Sequence, residues 1–365
     1  MLVATTVFIT RKFPPAVGGM ETLANDVWSA LRTRAGDSVL AAYGGPVPGT
    51  LRWWFRSRRT FARLMRDPDV EVVIAGDVVM FVLLRRMARR AGVHLISMAM
   101  GKDIVWSNPL YQRVIRRQLR GAEGVIAISR ATASAAIAAG VDGQRVRALT
   151  LGVELPPERA RSEATRALRA RWDIAEGQAV LVTLGRLVRR KGVAWFIREV
   201  MDELPENVVL LVAGEGSDRR SIEDAVSSSH SRHRIRLLGA VSDEDRELLM
   251  AGADLFIQPN IPVQGDMEGF GLVTVEAAVR GTMVIAADLE GLADAVEDER
   301  TGFLVPPGDV RAWVSMIKLQ LSGHQAREAR AREFQARARK LYSREAMGAR
   351  LDAMIRELLA LSGHP

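Results

Sequence analysis

The chain alternates short apolar runs with longer stretches whose apolar residues recur at every third or fourth position. In the first half the runs lie near residues 2–9, 38–43, 71–75, 93–98 and 124–128. In the second they lie near 179–184, 208–213, 235–238, 254–258 and 283–287. Apolar runs without polar alternation fit strands covered on both faces, and the amphipathic stretches between them fit the covering helices. The pattern predicts an α/β protein with two doubly wound, Rossmann-like parallel sheets in tandem. The alternation breaks around Gly152 to Pro157, which predicts a first domain over residues 1–155 and a second over 156–342. Beyond Asp309 the pattern is helical, and residues 343–365 form a closing segment with apolar positions at helical spacing between Ser343 and Leu361.

Composition supports this picture and adds an asymmetry. A chain of 365 residues, 48% apolar and 26% charged, fits a globular protein of two domains. Its net charge of +8 is unevenly spread. Residues 1–155 hold 22 Lys+Arg against 11 Asp+Glu, a net of +11, and the remainder holds 29 against 32, a net of −3. The basic first half implies an acidic partner, either a membrane surface or a phosphorylated acceptor. A general arginine bias is the plain alternative, because 46 of the 51 basic residues are Arg. Nucleic acid is not expected, since aromatics for base stacking make up only 5% of the chain. With no cysteine, disulfides, thiolate metal sites and cysteine nucleophiles are excluded together. No apolar stretch reaches the ~18–20 residues of a membrane span. The reading predicts a cytoplasmic protein, peripheral on the inner face of the cell membrane.

Chemistry concentrates at the ends of the apolar runs. Residues 265–278 read Gly-Asp-Met-Glu-Gly-Phe-Gly-Leu-Val-Thr-Val-Glu-Ala-Ala, with Glu268 and Glu276 on either side of a Gly-Phe-Gly turn that opens a helix. The free N–H groups at such a turn suit a phosphate, and a carboxylate accepts from two neighbouring sugar hydroxyls. Two acids on a solvated helix face are the competing explanation. Gly185-Arg186-Leu187-Val188-Arg189-Arg190-Lys191-Gly192 follows the first run of the second half and offers Arg186 and Lys191 as a diphosphate clamp, with Arg189 and Arg190 read as surface charge. Gly214-Glu215-Gly216 ends the next run, and Gly18-Gly19 occupies the matching place in the first half, each allowing close backbone approach to a ligand. No metal-ligand spacing, nucleophile elbow or Walker loop is present.

The Gly-Gly-Met-Glu loop, the Gly-Arg-Leu to Arg-Lys-Gly segment and the Glu268/Glu276 pair, in this order, resemble the retaining glycosyltransferase family 4. The pair fits that family's E-x7-E pattern, and the resemblance covers nearly the whole chain. It implies the GT-B fold, two Rossmann-like domains facing a cleft with the last helix crossing back to the first domain. It further implies that a nucleotide-diphosphate sugar is the donor substrate, that no cofactor or metal is needed, and that transfer retains anomeric configuration. On this resemblance Arg186 and Lys191 hold the diphosphate, and Glu268 with the backbone of Gly269, Phe270, Gly271 and Leu272 meets the donor sugar and phosphate. Glu276 takes the ribose hydroxyls, and the base lies near Gly214, Glu215, Gly216 and Val241.

One position departs from the pattern. Where the family usually has His-Gly-x-Asp or His-Gly-x-Glu, the chain reads Met100-Gly101-Lys102-Asp103, and methionine neither donates a hydrogen bond nor carries charge. Lys102 or Asp103 is expected to assume part of the missing role. A slow enzyme, a different donor, or a nucleotide-sugar-binding protein with weak catalysis, is the alternative. Arg52-Trp53-Trp54-Phe55-Arg56-Ser57-Arg58-Arg59-Thr60-Phe61 interleaves aromatics with arginines, a pattern that suits an anionic membrane interface and equally a solvated helix with its aromatics in the core. Further basic clusters at Arg85 to Arg90 and Arg113 to Arg120 extend it. A lipid-linked acceptor is therefore expected first, and a soluble sugar or natural-product acceptor second.

Overall fold

The computed structural model describes residues 5–16, 18–32, 37–45, 49–158 and 160–361. Its first sheet contains β1 (Thr5–Thr10), β2 (Ser38–Ala42), β3 (Val70–Ala75), β4 (His94–Ala99), β5 (Gly124–Ala127) and β6 (Val146–Ala148), in the order β2-β1-β3-β4-β5-β6. The second contains β7 (Ala179–Leu184), β8 (Val208–Ala213), β9 (Ile235–Gly239), β10 (Leu255–Gln258), β11 (Met283–Ala287) and β12 (Phe303–Val305), in the order β12-β11-β10-β7-β8-β9. Every pairing within them is parallel. Ten strands fall on the apolar runs of the sequence. The two that the pattern misses, β6 and β12, are edge strands of three residues, too short to register as runs.

The chain forms two compact units. One holds the described residues up to Glu154 together with residues 265–270 and 343–361, and the other holds Leu155–Gln264 and Gly271–Tyr342. Residues 265–270, expected in the second domain, thus group with the first unit. The cause is close glycine packing: a Cβ on Gly269 would stand 2.7 Å from the Ile128 side chain and 3.0 Å from the Met100 carbonyl oxygen.

In the first unit, Val7, Ile9, Val73, Leu95 and Val125 of the sheet pack with Phe81 and Leu84 of the Val78–Ala91 helix and Ile115 and Leu119 of the Pro109–Leu119 helix. Each such side chain contributes roughly 1.5–3 kcal/mol by leaving water. The Arg344–Ala360 helix belongs to this unit and lies on the Gly19–Leu31 helix. Met347, Leu351, Ile355 and Leu358, spaced by three or four positions, make its buried stripe. Arg344 Nη2 fixes its start, 2.8 Å from Asp26 Oδ1 and 3.1 Å from Glu154 Oε2.

In the second unit β8 is buried along its whole length, as a central parallel strand should be. The Arg161–Arg171 and Asp243–Gly252 helices pack so closely at Gly252 that a Cβ there would stand 2.6 Å from the Ala164 carbonyl oxygen. Strand order reverses at β1/β3 in the first sheet and at β7/β10 in the second. Outside the carboxyl ends of the strands at such a reversal, a doubly wound sheet opens its ligand crevice.

Candidate functional site

In the second unit the loops after β7 and β8 are locked together by backbone. Leu187 N donates to Glu215 O at 2.9 Å, Asp218 N donates to Leu187 O at 2.9 Å, and Gly214 N donates to Gly239 O at 2.7 Å. Gly214 has φ 136°, and a Cβ on it would stand 1.9 Å from the Gly185 carbonyl oxygen, so only glycine fits. Gly192, with φ 68°, meets the Pro259 carbonyl in the same way. These contacts build a rigid backbone shelf at the β7/β10 reversal. Arg186 stands exposed on this shelf with no partner among the described residues, while Lys191 is buried. Arg190, expected at the surface, is buried too, and its carbonyl oxygen accepts from Ile261 N at 2.9 Å. Glu215 pairs with Arg219 at 2.5 Å, which leaves its backbone to the shelf and its side chain to the following helix. Half-buried Val241 directly precedes Ser242, whose hydroxyl caps the Asp243–Gly252 helix.

The Gly-Phe-Gly turn leads into the Leu272–Val279 helix. Gly271, at φ 85°, caps it, and the Thr274 hydroxyl donates back to the Gly271 carbonyl at 2.7 Å. The first N–H groups of this helix have no intrahelical acceptor, so Gly271 and Leu272 present donors at the positive end of a helix dipole. Neither carboxylate of the pair lies on a solvated face. Glu268 is 8% exposed, and the Glu276 side chain is 18% exposed and paired with Arg246. The burial of both argues against ordinary helix decoration.

In the first unit Gly18 adopts extended backbone ahead of the Gly19–Leu31 helix. A Cβ there would stand 2.4 Å from Glu21 Oε2, whereas around Gly19 there is open space. Glu21 folds back to Lys12 Nζ at 3.2 Å. Beside it, Arg11 Nε lies 2.8 Å from Asp77 Oδ2, which places a charged cluster at the β1/β3 reversal. Arg11, Lys12 and Asp77 escape a reading of local motifs; the available signal is their position at the carboxyl ends of β1 and β3.

Similarity to known proteins can now be set beside this geometry. The family model for glycosyl transferases group 1 matches residues 164–340. Residues 164–340 make up a glycosyl transferases group 1 domain. The chain is 27% identical over 339 residues to the GDP-mannose-dependent alpha-(1-6)-phosphatidylinositol monomannoside mannosyltransferase of Mycolicibacterium smegmatis, covering 85% of this chain and 87% of that one. It is 25% identical to the alpha-D-kanosaminyltransferase of Streptomyces kanamyceticus, over 86% and 83% of the two chains. Its fold matches the crystal structure of Anabaena HepE in complex with UDP with a TM-score of 0.77, at 21% identity over 96% of this chain and 99% of that one. The architecture is GT-B.

In the first unit, the segment that stands where the resemblance expects a histidine is organised by Asp103. Its Oδ1 accepts from Met100 N at 2.9 Å and its Oδ2 from Val78 N at 3.2 Å, while the Tyr111 hydroxyl donates to its backbone carbonyl at 2.5 Å. Both carboxyl oxygens are thus occupied inside the fold, and Asp103 holds the Met100–Gly101 turn in place. Lys102 or Asp103 is expected to assume part of the histidine's role; of the two, Asp103 faces inward and its carboxyl group holds the turn. Burial, helped by neighbouring Asp77, pushes its carboxyl up to about 7 against the backbone donors and Arg11. Burial also raises the Asp77 carboxyl and, with Asp103, the Tyr111 hydroxyl. Lys102 stays exposed, 3.7 Å from Asp266 Oδ1. No group of metal-ligating side chains occurs among the described residues.

The aromatic and basic helix, Thr50–Leu64, divides its aromatics. Phe61 is buried in the core, and Trp53 and Trp54 turn half-buried toward it, with ring centroids 5.4 and 5.7 Å away. Leu51 and Phe55 remain exposed among Arg52, Arg56, Arg58 and Arg59. The expectation of a continuous aromatic interface from Arg52 to Phe61 therefore narrows to two apolar side chains in a basic field. A second exposed set, Trp106, Leu110 and Val114, accompanies Arg113 and Arg117 at the Pro109–Leu119 helix.

Proposed function

We propose that this glycosyltransferase moves a hexosyl group from a nucleoside-diphosphate sugar to a hydroxyl of a lipid-linked acceptor at an anionic membrane surface, with retention and without a metal. The observation that carries the donor half is the interlocked glycine shelf with Arg186 upon it, a cation with a fixed base and no side-chain partner among the described residues. Arg186 and Lys191 hold the diphosphate, the helix N-terminus at Gly271 and Leu272 meets the sugar end, and Glu268 orients the sugar. As the bond from the anomeric carbon to the diphosphate oxygen breaks, the acceptor oxygen bonds to that carbon from the same face, and its proton passes to the departing diphosphate. Fixed positive groups aimed at the leaving charge provide most of the rate.

The acceptor half rests on the first unit's net basic charge, on exposed Leu51, Phe55 and Leu110 beside arginines, and on the relative named for a phosphatidylinositol acceptor. No helix among the described residues is long and apolar enough to cross a membrane, so attachment would be by surface contact. A soluble sugar or natural-product acceptor is the second reading, beside a relative named alpha-D-kanosaminyltransferase, a name that carries no lipid. Flotation of the protein with phosphatidylglycerol-containing vesicles decides between them. Binding at low salt that is lost at 0.5 M salt is expected, and its absence from anionic vesicles would leave the soluble acceptor.

A further inference from the structure

Glu276 does not stand alone. Its carboxylate is gripped by Arg246, which projects from the Asp243–Gly252 helix, and the pair is two-thirds or more shielded from solvent, at 33% exposure for Arg246 and 18% for Glu276. Arg246 Nη2 takes Oε2. The other oxygen has no partner among the described residues and is not sealed from solvent. The base from which Arg246 reaches is itself pinned on both sides. Asp245 accepts from Arg171 Nε at 2.7 Å and from Nη2 at 3.1 Å. Glu247 accepts from Arg280 Nε at 2.7 Å, and Arg280 Nη1 in turn donates to the Glu276 carbonyl at 2.9 Å. Three consecutive side chains, Asp245, Arg246 and Glu247, are thus each tied to a different partner. Two of those ties run to the helix that carries Glu276.

We propose that Arg246 is a positioning residue for the donor ribose: it holds the Glu276 carboxylate so that the open oxygen accepts from the ribose hydroxyls. The inference rests on the reading of Glu276 as the ribose-binding group. A glutamate side chain free to rotate loses that freedom when a hydroxyl binds it, and a guanidinium that already holds one oxygen removes most of this cost beforehand. A guanidinium on one oxygen also leaves the other to accept from the sugar hydroxyls. Arg246 itself touches no ligand in this account.

Calorimetric titration of GDP, UDP and their 2′-deoxy counterparts into the full chain tests it, with the tighter-binding base carrying the comparison. Wild type should prefer the ribonucleotide, and E276A should abolish that preference. R246A should weaken ribonucleotide binding roughly three- to tenfold, the cost of one unfixed side chain. The same variant should leave 2′-deoxynucleotide binding nearly unchanged and raise donor KM more than it lowers kcat. R246A/E276A should bind no more weakly than E276A alone, and R246K should recover part of the loss. Should R246A destabilise the fold, R246M keeps the aliphatic stem and serves for the same titrations. Equal weakening of both nucleotide types by the Arg246 variants, or no weakening at all, overturns the role of Arg246. A ribonucleotide preference that survives E276A overturns the ribose reading itself.

Discussion

Lys191 and Arg186 come from one short loop, yet the fold treats them differently. Lys191 is buried at 9% exposure in a single-turn helix whose backbone is closed by Gly192, whereas Arg186 is exposed and unpartnered. A preorganised ammonium close to the leaving charge should matter more to the transition state than to ground-state binding. K191A should therefore lower kcat by about 100-fold or more, and R186A should chiefly weaken nucleotide binding. Steady-state kinetics with a saturating donor separate the two effects, and near wild-type kcat in K191A would remove Lys191 from the mechanism. E268A should likewise abolish turnover while leaving nucleoside diphosphate binding intact. Asp103 makes a pH prediction. In the unfolded chain its carboxyl ionises near 3.8 and in the fold near 7, so the fold binds this proton more tightly. Its contribution to stability is complete below about pH 4 and is lost as the pH rises through about 7. Melting curves from pH 4 to 8 should show that decline in the wild type and a flatter profile in D103N; an unchanged slope in D103N would contradict the assignment. At this scale the Glu268/Glu276 pair and the Arg186–Lys191 loop were legible because their spacing is local. Arg246 and Asp77 were not, because each acquires its partner from a segment distant in sequence.

At the scale of elements, the shelf depends on backbone and not on side chains. Gly214 holds φ 136° with a carbonyl 1.9 Å from where its Cβ would be. G214A should force the loops after β7 and β8 apart and weaken nucleotide binding at least tenfold, while the buried β8 keeps the protein folded. Nucleotide titration with a melting curve on the same sample checks both parts, and unimpaired binding would show that the shelf is not needed. On the Thr50–Leu64 helix, L51S/F55S should reduce vesicle binding without altering turnover of a water-soluble acceptor. Removal of Arg52 and Arg56 should reduce binding about fivefold per charge at low salt, since each basic residue near an anionic surface is worth ~1 kcal/mol. The sequence pattern located ten of twelve strands, because strands buried on both faces leave continuous apolar runs. It left Trp53, Trp54 and Phe61 open between an interface and the core, because alternation of aromatics and arginines looks the same whether the aromatics face lipid or a core; Tyr43, stacked 5.5 Å from Trp53, and the burial of Phe61 decide for the core.

Across the whole molecule, charge and chemistry are divided between the two units. The first half carries the net positive charge and most of the exposed large apolar side chains, and the second carries the glycine shelf, Arg186, Lys191 and the Arg246–Glu276 pair. This division was readable from charge counts and from the order of the motifs. The membership of residues 265–270 in the first unit was not, because it follows from the fit of Gly269 against Met100 and Ile128, which no local pattern encodes. Glycosyl transfer from a nucleotide sugar is the claim on which the rest depends. The direct measurement is to incubate the purified chain with GDP-mannose, UDP-glucose and UDP-galactose, each with a phosphatidylinositol acceptor and with EDTA present, and to determine the anomeric configuration of any product by NMR. The account predicts acceptor-dependent release of nucleoside diphosphate and a product with the donor's own configuration, formed about 100-fold or more slowly by K191A; a product of inverted configuration, or near wild-type turnover in K191A, would contradict it.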